Sequence, residues 1–271
     1  MFGNLEYTTY EATKNSVEVL NNSIKNLSNL KSIGYRKTET SFVTTLNGEI
    51  AKHQNVVHSQ GPLRKTNEPF DLALDGPGFF EVELTNGQRA FTRAGRLSLN
   101  SDGELVTEEG YRVLPQVEDT SNSVFKISSD KEKNELGLDI KVASPNLIIP
   151  PNLTPEVLED GTVNGISPEN GEKVKIGKIS IVSFNNPQGL EPIGKSYFIQ
   201  TKASGQAQEV NASPDSATKI KQGFLEFGNV DMVAELMNLS QLKNVITAQI
   251  KALKAIDKIY ENVHYTISRN A

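Results

Sequence analysis

The strongest constraint on the fold of this chain is a heptad pattern of apolar residues in two long stretches, one near each end. Residues 5–32 contain no glycine or proline. An apolar residue recurs there every seven positions, with leucines between. This spacing is typical of α-helices that pack along one another. The stripe is narrow and the other faces are polar, so one such helix alone buries too little apolar surface to be stable. The stripe consists of Tyr10, Val17, Leu20, Ile24 and Leu27.

The C-terminal stretch repeats this arrangement over a greater length. Residues 231–266 contain no glycine or proline, and Asn229 is a suitable helix N-cap. A helix of about 35 residues extends roughly 50 Å at 1.5 Å per residue. We expect the two helices to pair as a coiled-coil-like module, although an internal helical hairpin that buries itself explains the pattern equally well. The C-terminal rows are Met232, Leu239, Leu242, Ile246, Leu253, Ile256, Tyr260 and Val263.

Between the two helices the apolar pattern changes to a period of two, which is typical of β-strands. Residues 70–74 alternate in this way, and residues 79–84 resume the pattern after the turn at 75–78. Asn86-Gly87 is a strong hairpin signal, and short strands separated by glycine turns continue to residue 117. We therefore expect a central antiparallel β-rich region and an α+β fold class.

These changes of pattern predict three parts. The first is a discontinuous helical assembly domain formed by residues 1–42 and 222–271. The second is a β-rich core domain formed by residues 43–118 and 176–221. Residues 119–175 are polar and broken by glycine and proline, so we expect an insertion or a small subdomain there.

Charge and rare residues argue against catalysis and nucleic-acid binding. The net charge of -5 comes from 33 acidic and 28 basic residues spread along the chain, which leaves no basic stripe for a phosphate backbone. Cysteine is absent, and His53 and His58 are five residues apart, a spacing that aligns on neither a helix face nor a strand face. We predict no catalytic residue, no cofactor, no metal site, no nucleic-acid partner and no small-molecule substrate.

The N-terminal segment does not look like a secretory signal. Residues 1–6 lack a basic region and an apolar run, and no 18 consecutive residues of the chain are apolar. We therefore expect a protein that is cytoplasmic or that is exported without a cleaved signal peptide.

Several longer motifs occur in a fixed order along the chain. They include an asparagine pair, a Gly-aromatic-basic-basic step and a long Pro-Phe-Asp-Leu-Ala-Leu-Asp-Gly-Pro-Gly-Phe-Phe block. The motifs lie at Asn21–Asn29, Gly34–Lys37, Pro69–Phe80, Phe91–Gly95, Asp102–Thr107, Phe184–Leu190 and Gln222–Glu226, the last leading into Asn229–Asp231.

This series resembles the rod and hook proteins of the bacterial flagellum, and the resemblance covers both ends and most of the middle. Ser28 replaces the alanine that is usual in the family, and about ten residues beyond Tyr260 form an extra tail. The resemblance does not separate the proximal rod type, the distal rod type and a hook-related paralogue.

The resemblance implies a structural subunit that polymerises helically into the drive shaft between motor and hook, the periplasm-spanning rod of the basal body. It implies export by the flagellar type III apparatus, and partners that are copies of the chain and other rod and hook axial proteins. We expect the helix seams to form the assembly interface. The residues are Val17, Leu20, Ile24, Leu27, Leu239, Leu242, Ile246, Leu253 and Ile256.

A different class of protein also fits the pattern of elements: a secreted or surface β-domain that binds a ligand and carries its helices as a stalk. Such a domain needs an exposed aromatic platform. Aromatic residues make up 7% of the chain and tryptophan is absent, which disfavours this alternative.

Overall fold

The computed structural model describes residues 2–44, 50–116, 147–168, 170–213 and 216–269. Along the sequence, an α-helix precedes and another follows a series of short strands: α1 is Phe2–Ser28 and α2 is Met232–Arg269. The strands of the first half are β1 (Thr38–Thr44), β2 (Ile50–Val56), β3 (Leu63–Lys65), β4 (Leu72–Asp75), β5 (Phe79–Glu83), β6 (Arg89–Thr92), β7 (Leu97–Leu99), β8 (Leu105–Thr107) and β9 (Arg112–Val113). Those of the second half are β10 (Thr154–Val157), β11 (Thr162–Ile166), β12 (Lys173–Lys178), β13 (Ile181–Ser183), β14 (Glu191–Gly194), β15 (Tyr197–Ile199), β16 (Gln208–Glu209), β17 (Lys219–Gln222) and β18 (Phe224–Glu226).

The chain divides into two compact units. The helical unit consists of residues 1–32, 36–59 and 228–271, and the β unit consists of residues 33–35 and 60–227. The helical unit therefore contains α1, α2 and the antiparallel hairpin of β1 and β2.

The β unit is built on an antiparallel sheet with the strand order β14-β15-β6-β5-β9-β8-β7, to which β13 and β16 are added beside β5. A three-stranded sheet, β10-β11-β12, and the pairs β17-β4 and β18-β3 complete it. Apolar side chains that alternate along these strands meet in one core, as the period of two predicts. Its most buried members include Leu72, Leu74, Phe80, Val82, Leu147, Ile149, Ile179, Ile181, Tyr197 and Ile220.

The segment predicted as an insertion at 119–175 is described only in part, since residues 119–146 lie outside the described residues. In the remainder, Leu147, Ile149 and Val163 are buried in the main core of the β unit. Leu105 N donates to Leu147 O at 3.1 Å, and Ile149 N donates to Gly103 O at 2.8 Å. The predicted division into three parts stays a prediction.

Gly95 shows why one of the ordered motifs contains a glycine. A Cβ atom on Gly95 would lie 1.7 Å from the carbonyl oxygen of Leu72. The backbone is this close because Leu72 N donates a hydrogen bond of 2.8 Å to Gly95 O. The glycine therefore permits a contact between two backbones that any side chain prevents.

Tyr197 and Asp75 are among the groups of the β unit whose contacts shift their pKa values. Burial, and the hydrogen bond that its hydroxyl donates to Glu109, raise the pKa of Tyr197 and so favour the protonated phenol. The hydrogen bond from Lys221 lowers the pKa of Asp75 and so favours the charged carboxylate. Lys221 Nζ lies 2.6 Å from Asp75 Oδ2 across the β17-β4 pair.

The two helices and the antiparallel β-rich region fit the α+β class, but the predicted coiled-coil-like pairing is wrong. The helices α1 and α2 pack against each other. A coiled coil buries both rows of each heptad seam. On α1, however, Val17 is 38% exposed and Ile24 is 49% exposed, while Ser23 and Asn26 are the buried ones among its described side chains. The helix is turned so that a small and polar side faces the interior of the helical unit.

The predicted N-cap of the second helix, Asn229, is also wrong. The side chain of Asp231 caps α2 instead, since its Oδ1 accepts hydrogen bonds from Val233 N at 2.9 Å and Ala234 N at 3.1 Å. These are the backbone donors that an N-cap residue satisfies. Asn229 lies two residues earlier and makes tertiary hydrogen bonds.

Candidate assembly surface

Asn26 determines which side of α1 faces inward. Its Oδ1 accepts a hydrogen bond of 3.0 Å from Thr38 N, and its Nδ2 donates to Thr38 O at 2.9 Å. The same Nδ2 donates to Glu235 Oε1 on α2 at 3.3 Å. One buried amide therefore joins α1, β1 and α2 within the helical unit. A buried amide without these partners costs free energy, so this rotation of α1 is strongly favoured.

The assembly residues predicted on α1 fall into two groups. Leu20 and Leu27 are half-buried at the edge of the packed side. Val17 and Ile24 are exposed, and Tyr10 continues their row towards the N-terminus at 57% exposure. The structure thus brings the leucines into the helical unit and leaves the other row uncovered.

The assembly residues predicted on α2 lie together on the packed side of that helix. Among the described side chains of α2, Glu235 and Ile256 are buried, and the half-buried positions between them alternate at spacings of three and four. That spacing forms one continuous stripe on an α-helix. The half-buried members are Leu239, Leu242, Ile246, Gln249 and Leu253.

Exposed apolar side chains are concentrated on the two helices. Among the described residues, all large exposed apolar side chains except Val43, Ile148, Leu158 and Ile193 belong to α1 or α2. We call this set the outer helix surface. It comprises Tyr7, Tyr10, Val17, Ile24, Met232, Val233, Leu236, Met237, Val245, Ile250, Ile259, Tyr260 and Tyr265.

The helical unit buries little apolar surface of its own. Among the described residues, its buried apolar side chains are Val56, Val230 and Ile256, whereas the other buried apolar side chains of the chain belong to the β unit. Full burial of one such side chain contributes about 1.5–3 kcal/mol, so this unit draws little stability from its interior. Further burial of the outer helix surface would stabilise it.

Glu226, which the sequence analysis did not single out, is a buried carboxylate that joins several segments of the β unit. Glu226 is fully buried, and its Oε2 lies 3.1 Å from Nη1 of the buried Arg93. Its Oε1 accepts a hydrogen bond from Gly61 N at 2.7 Å, and its backbone oxygen accepts one from Gly34 N at 2.8 Å. Glu226 thus holds three distant segments of the β unit together. The signal in the sequence was a carboxylate directly after the apolar strand residues Phe224 and Leu225.

Asn229 has the same kind of role in the helical unit. Its Oδ1 accepts a hydrogen bond from Lys37 N at 2.7 Å. Its Nδ2 donates to Val57 O at 2.7 Å and to Ser59 O at 3.0 Å. The amide of Asn229 thus both accepts and donates hydrogen bonds, and these join separate segments of the helical unit. This role explains why the motif before α2 contains an asparagine.

We expect Asn229→Asp to destabilise the helical unit by about 2 kcal/mol. The carboxylate cannot donate, so it would face the carbonyl oxygens of Val57 and Ser59 without a hydrogen bond. Thermal unfolding followed by helical circular dichroism measures the effect. Asn244→Asp makes the same change at an exposed position of α2 and should leave the midpoint nearly unchanged. Equal midpoints for the two variants would contradict the role of Asn229.

Two features that would indicate metal chemistry or membrane insertion are absent from the described part of the chain. No three histidine, aspartate or glutamate side chains come together there as a possible metal site. Neither described helix has the length and hydropathy needed to span a bilayer.

Two models of flagellar protein families match this chain, one in its middle and one towards its C-terminus. The model of the flagellar hook protein FlgE/F/G D1 domain matches residues 73–165, and the model of the flagellar basal body rod FlgEFG protein C-terminal region matches residues 221–263. The flagellar basal-body rod protein FlgG of Bacillus subtilis is 26% identical, over 95% of this chain and 96% of its own length. FlgG of Borreliella burgdorferi is 30% identical over 75% of this chain and 66% of its own length. FlgG of Buchnera aphidicola from Schizaphis graminum is 28% identical over 76% and 68%.

Proposed function

Since the chain belongs to the flagellar basal-body rod protein family and is a structural subunit of the rod, we propose that it polymerises helically through its terminal helices. The observation that supports this most directly is the distribution of exposed apolar side chains. Among the described residues, most of the buried apolar side chains lie in the β unit, whereas most of the exposed large apolar side chains lie on the two helices. Contiguous exposed apolar surface marks a site of protein association.

The predicted assembly residues have two different roles in this proposal. Val17 and Ile24, which are exposed, contact neighbouring subunits. The more buried members stabilise the helical unit that presents them. These are Leu20, Leu27, Leu239, Leu242, Ile246, Leu253 and Ile256.

The neighbours in this proposal are copies of the chain and other rod and hook axial proteins. When identical subunits join through two different surfaces, the rotation from one subunit to the next decides the form of the assembly. They form a ring if that rotation closes and a helical filament if it does not. We also propose that the flagellar export apparatus secretes the chain in an unfolded form without cleaving a signal peptide. The small apolar interior of the helical unit supports this, because such a unit unfolds at low cost in free energy.

Polymerisation of the purified full-length protein in increasing ammonium sulfate tests the proposal. This salt strengthens the burial of apolar surface, so sedimentation should show polymers and negative-stain images should show helical rods. A variant that lacks residues 1–32 and 228–271 should stay monomeric at the same salt concentrations. A full-length protein that remains monomeric until it precipitates without order would refute helical polymerisation through the helices.

A further inference from the structure

The exposed side of α1 and one exposed side of α2 carry residue patterns that match. We propose that, in an assembly of copies, α1 of one copy packs on α2 of another through these two surfaces. This inference rests on the proposed polymerisation and gives the surfaces and the register of one contact within it. We call the first surface the α1 row, which consists of Tyr10, Lys14, Val17, Asn21, Ile24 and Ser28. We call the second surface the α2 flank, which consists of Ala234, Asn238, Gln241, Val245, Ala248, Ala252 and Ala255.

The α1 row is the side of α1 that its own copy leaves exposed. All six residues are exposed, and among the described residues from 10 to 28 only Lys25 is exposed besides them. They are spaced alternately by four and three residues, so they form a single seam along the helix. The apolar members of this seam recur every seven residues and are Tyr10, Val17 and Ile24.

The α2 flank lies beside the packed stripe of α2, each of its residues directly preceding a residue of that stripe. Its seven residues are exposed, repeat the alternation of four and three, and carry no charge. The flank can therefore be buried without removing a charge from water. Among the described side chains from Met232 to Ile259, the exposed charged ones lie on the other side of the packed stripe and are Lys243, Lys251, Lys254, Asp257 and Lys258.

The direction of the helices follows from their packing within one copy. The hydrogen bond between Asn26 and Glu235 joins the last turns of α1 to the first turn of α2, so the two packed helices run antiparallel. A helical filament relates its copies by rotation about its axis and translation along it, so helices that lie along this axis keep their direction. An α1 therefore also runs antiparallel to the α2 of another copy. Since the α1 row and the α2 flank are both exposed in one copy, a contact between them requires two copies.

The two surfaces fit in size when the antiparallel helices are aligned with their spacings in phase. Tyr10 then lies opposite Ala252, and Val17 lies opposite Val245. The ring of Tyr10 is 57% exposed in one copy, and a small side chain opposite it leaves room for the ring to be buried. Large and small side chains that face one another in this way fill the space between two helices. The remaining layers pair Lys14 with Ala248, Ile24 with Asn238, and Ser28 with Ala234.

A polar pair fixes the register of this contact. In the same alignment Asn21 lies opposite Gln241, and an amide can both donate and accept a hydrogen bond. A shift of one heptad in either direction places Asn21 opposite Ala234 or Ala248, where its amide would be buried without a partner. A polar residue within a heptad seam selects the register of paired helices in this manner.

Cross-linking of single-cysteine variants tests the contact and its direction, since the natural chain has no cysteine. The four full-length variants are Lys14→Cys, Ser28→Cys, Ala234→Cys and Ala248→Cys. Two variants are mixed in each experiment, polymerised in ammonium sulfate and treated with a short bismaleimide, so every cross-link joins two copies. We expect covalent dimers from Lys14→Cys with Ala248→Cys, and from Ser28→Cys with Ala234→Cys.

The exchanged mixtures are the matched controls. Lys14→Cys with Ala234→Cys, and Ser28→Cys with Ala248→Cys, should yield no dimers, because these sites lie about 21 Å apart along the helices in the proposed register. Dimers from the exchanged mixtures instead would show parallel packing, and dimers from one variant alone would show contact between identical surfaces. Either result would overturn the proposal. Polymers without cross-links would overturn it while leaving the proposed function intact, whereas a chain that forms no polymer under any condition would remove both.

Discussion

Replacing Glu226 with alanine is expected to destabilise the β unit by about 3–5 kcal/mol, because the substitution leaves the guanidinium of Arg93 buried without its counter-charge. The side chains of Arg93 and Glu226 are 4% and 0% exposed, so water cannot replace the lost carboxylate. Gly61 N also loses the acceptor of its hydrogen bond. For a unit of this size the thermal midpoint should fall by roughly 10 °C.

Urea and thermal unfolding followed by β-sheet circular dichroism measure this effect, with Glu68→Ala as a matched control at an exposed position. Glu226→Gln keeps an acceptor for Gly61 but removes the charge, so its stability should lie between those of the natural protein and Glu226→Ala. The double variant Arg93→Met with Glu226→Leu should recover part of the loss, since it removes both charges together. The importance of the ion pair is disproved if Glu226→Ala behaves like Glu68→Ala.

Ile24→Asp is expected to raise the protein concentration needed for polymerisation by about 100-fold without lowering the stability of the monomer. Ile24 is 49% exposed, and substitutions at such positions change stability by only about 0.5 kcal/mol. In a polymer the new carboxylate would be buried against apolar surface without a partner, at a cost of about 3 kcal/mol. Sedimentation at a series of concentrations gives the critical value.

Ile193→Asp is the matched control for this experiment, because it makes the same substitution at a residue of the β unit with 44% exposure. It should leave the critical concentration nearly unchanged. Leu253→Asp differs from both, since Leu253 is half-buried and its replacement should destabilise the helical unit itself. If Ile24→Asp polymerises at the same concentration as the natural protein, the row of Val17 and Ile24 is not an assembly contact.

The elements that could be predicted from the sequence were those that local patterns determine. A heptad period without helix breakers indicated both terminal helices, because that period belongs to the α-helix alone. Glycine turns and a period of two indicated the strands from Leu72 to Val113. The pairing of residues 147–149 with β8 and the turn before it is a long-range contact, and no local pattern specifies such a pairing.

The candidate surface was harder to predict than the helices that carry it. The apolar stripe on α1 indicated a packed seam, but the direction that the stripe faces depends on Asn26, whose partners Thr38 and Glu235 are distant in sequence. Asn229 and Asp231 are both good N-cap residues by local preference. The tertiary contacts of Asn229 with Lys37, Val57 and Ser59 decide between them.

The path of the backbone has a mechanical consequence for a subunit of the rod. The chain passes between the helical unit and the β unit four times, at residues 32–33, 35–36, 59–60 and 227–228. A separation of the two units would therefore strain four covalent connections and not one. Glu226 and Asn229 join the segments next to these connections, each within its own unit, so the connections are tied together on both sides.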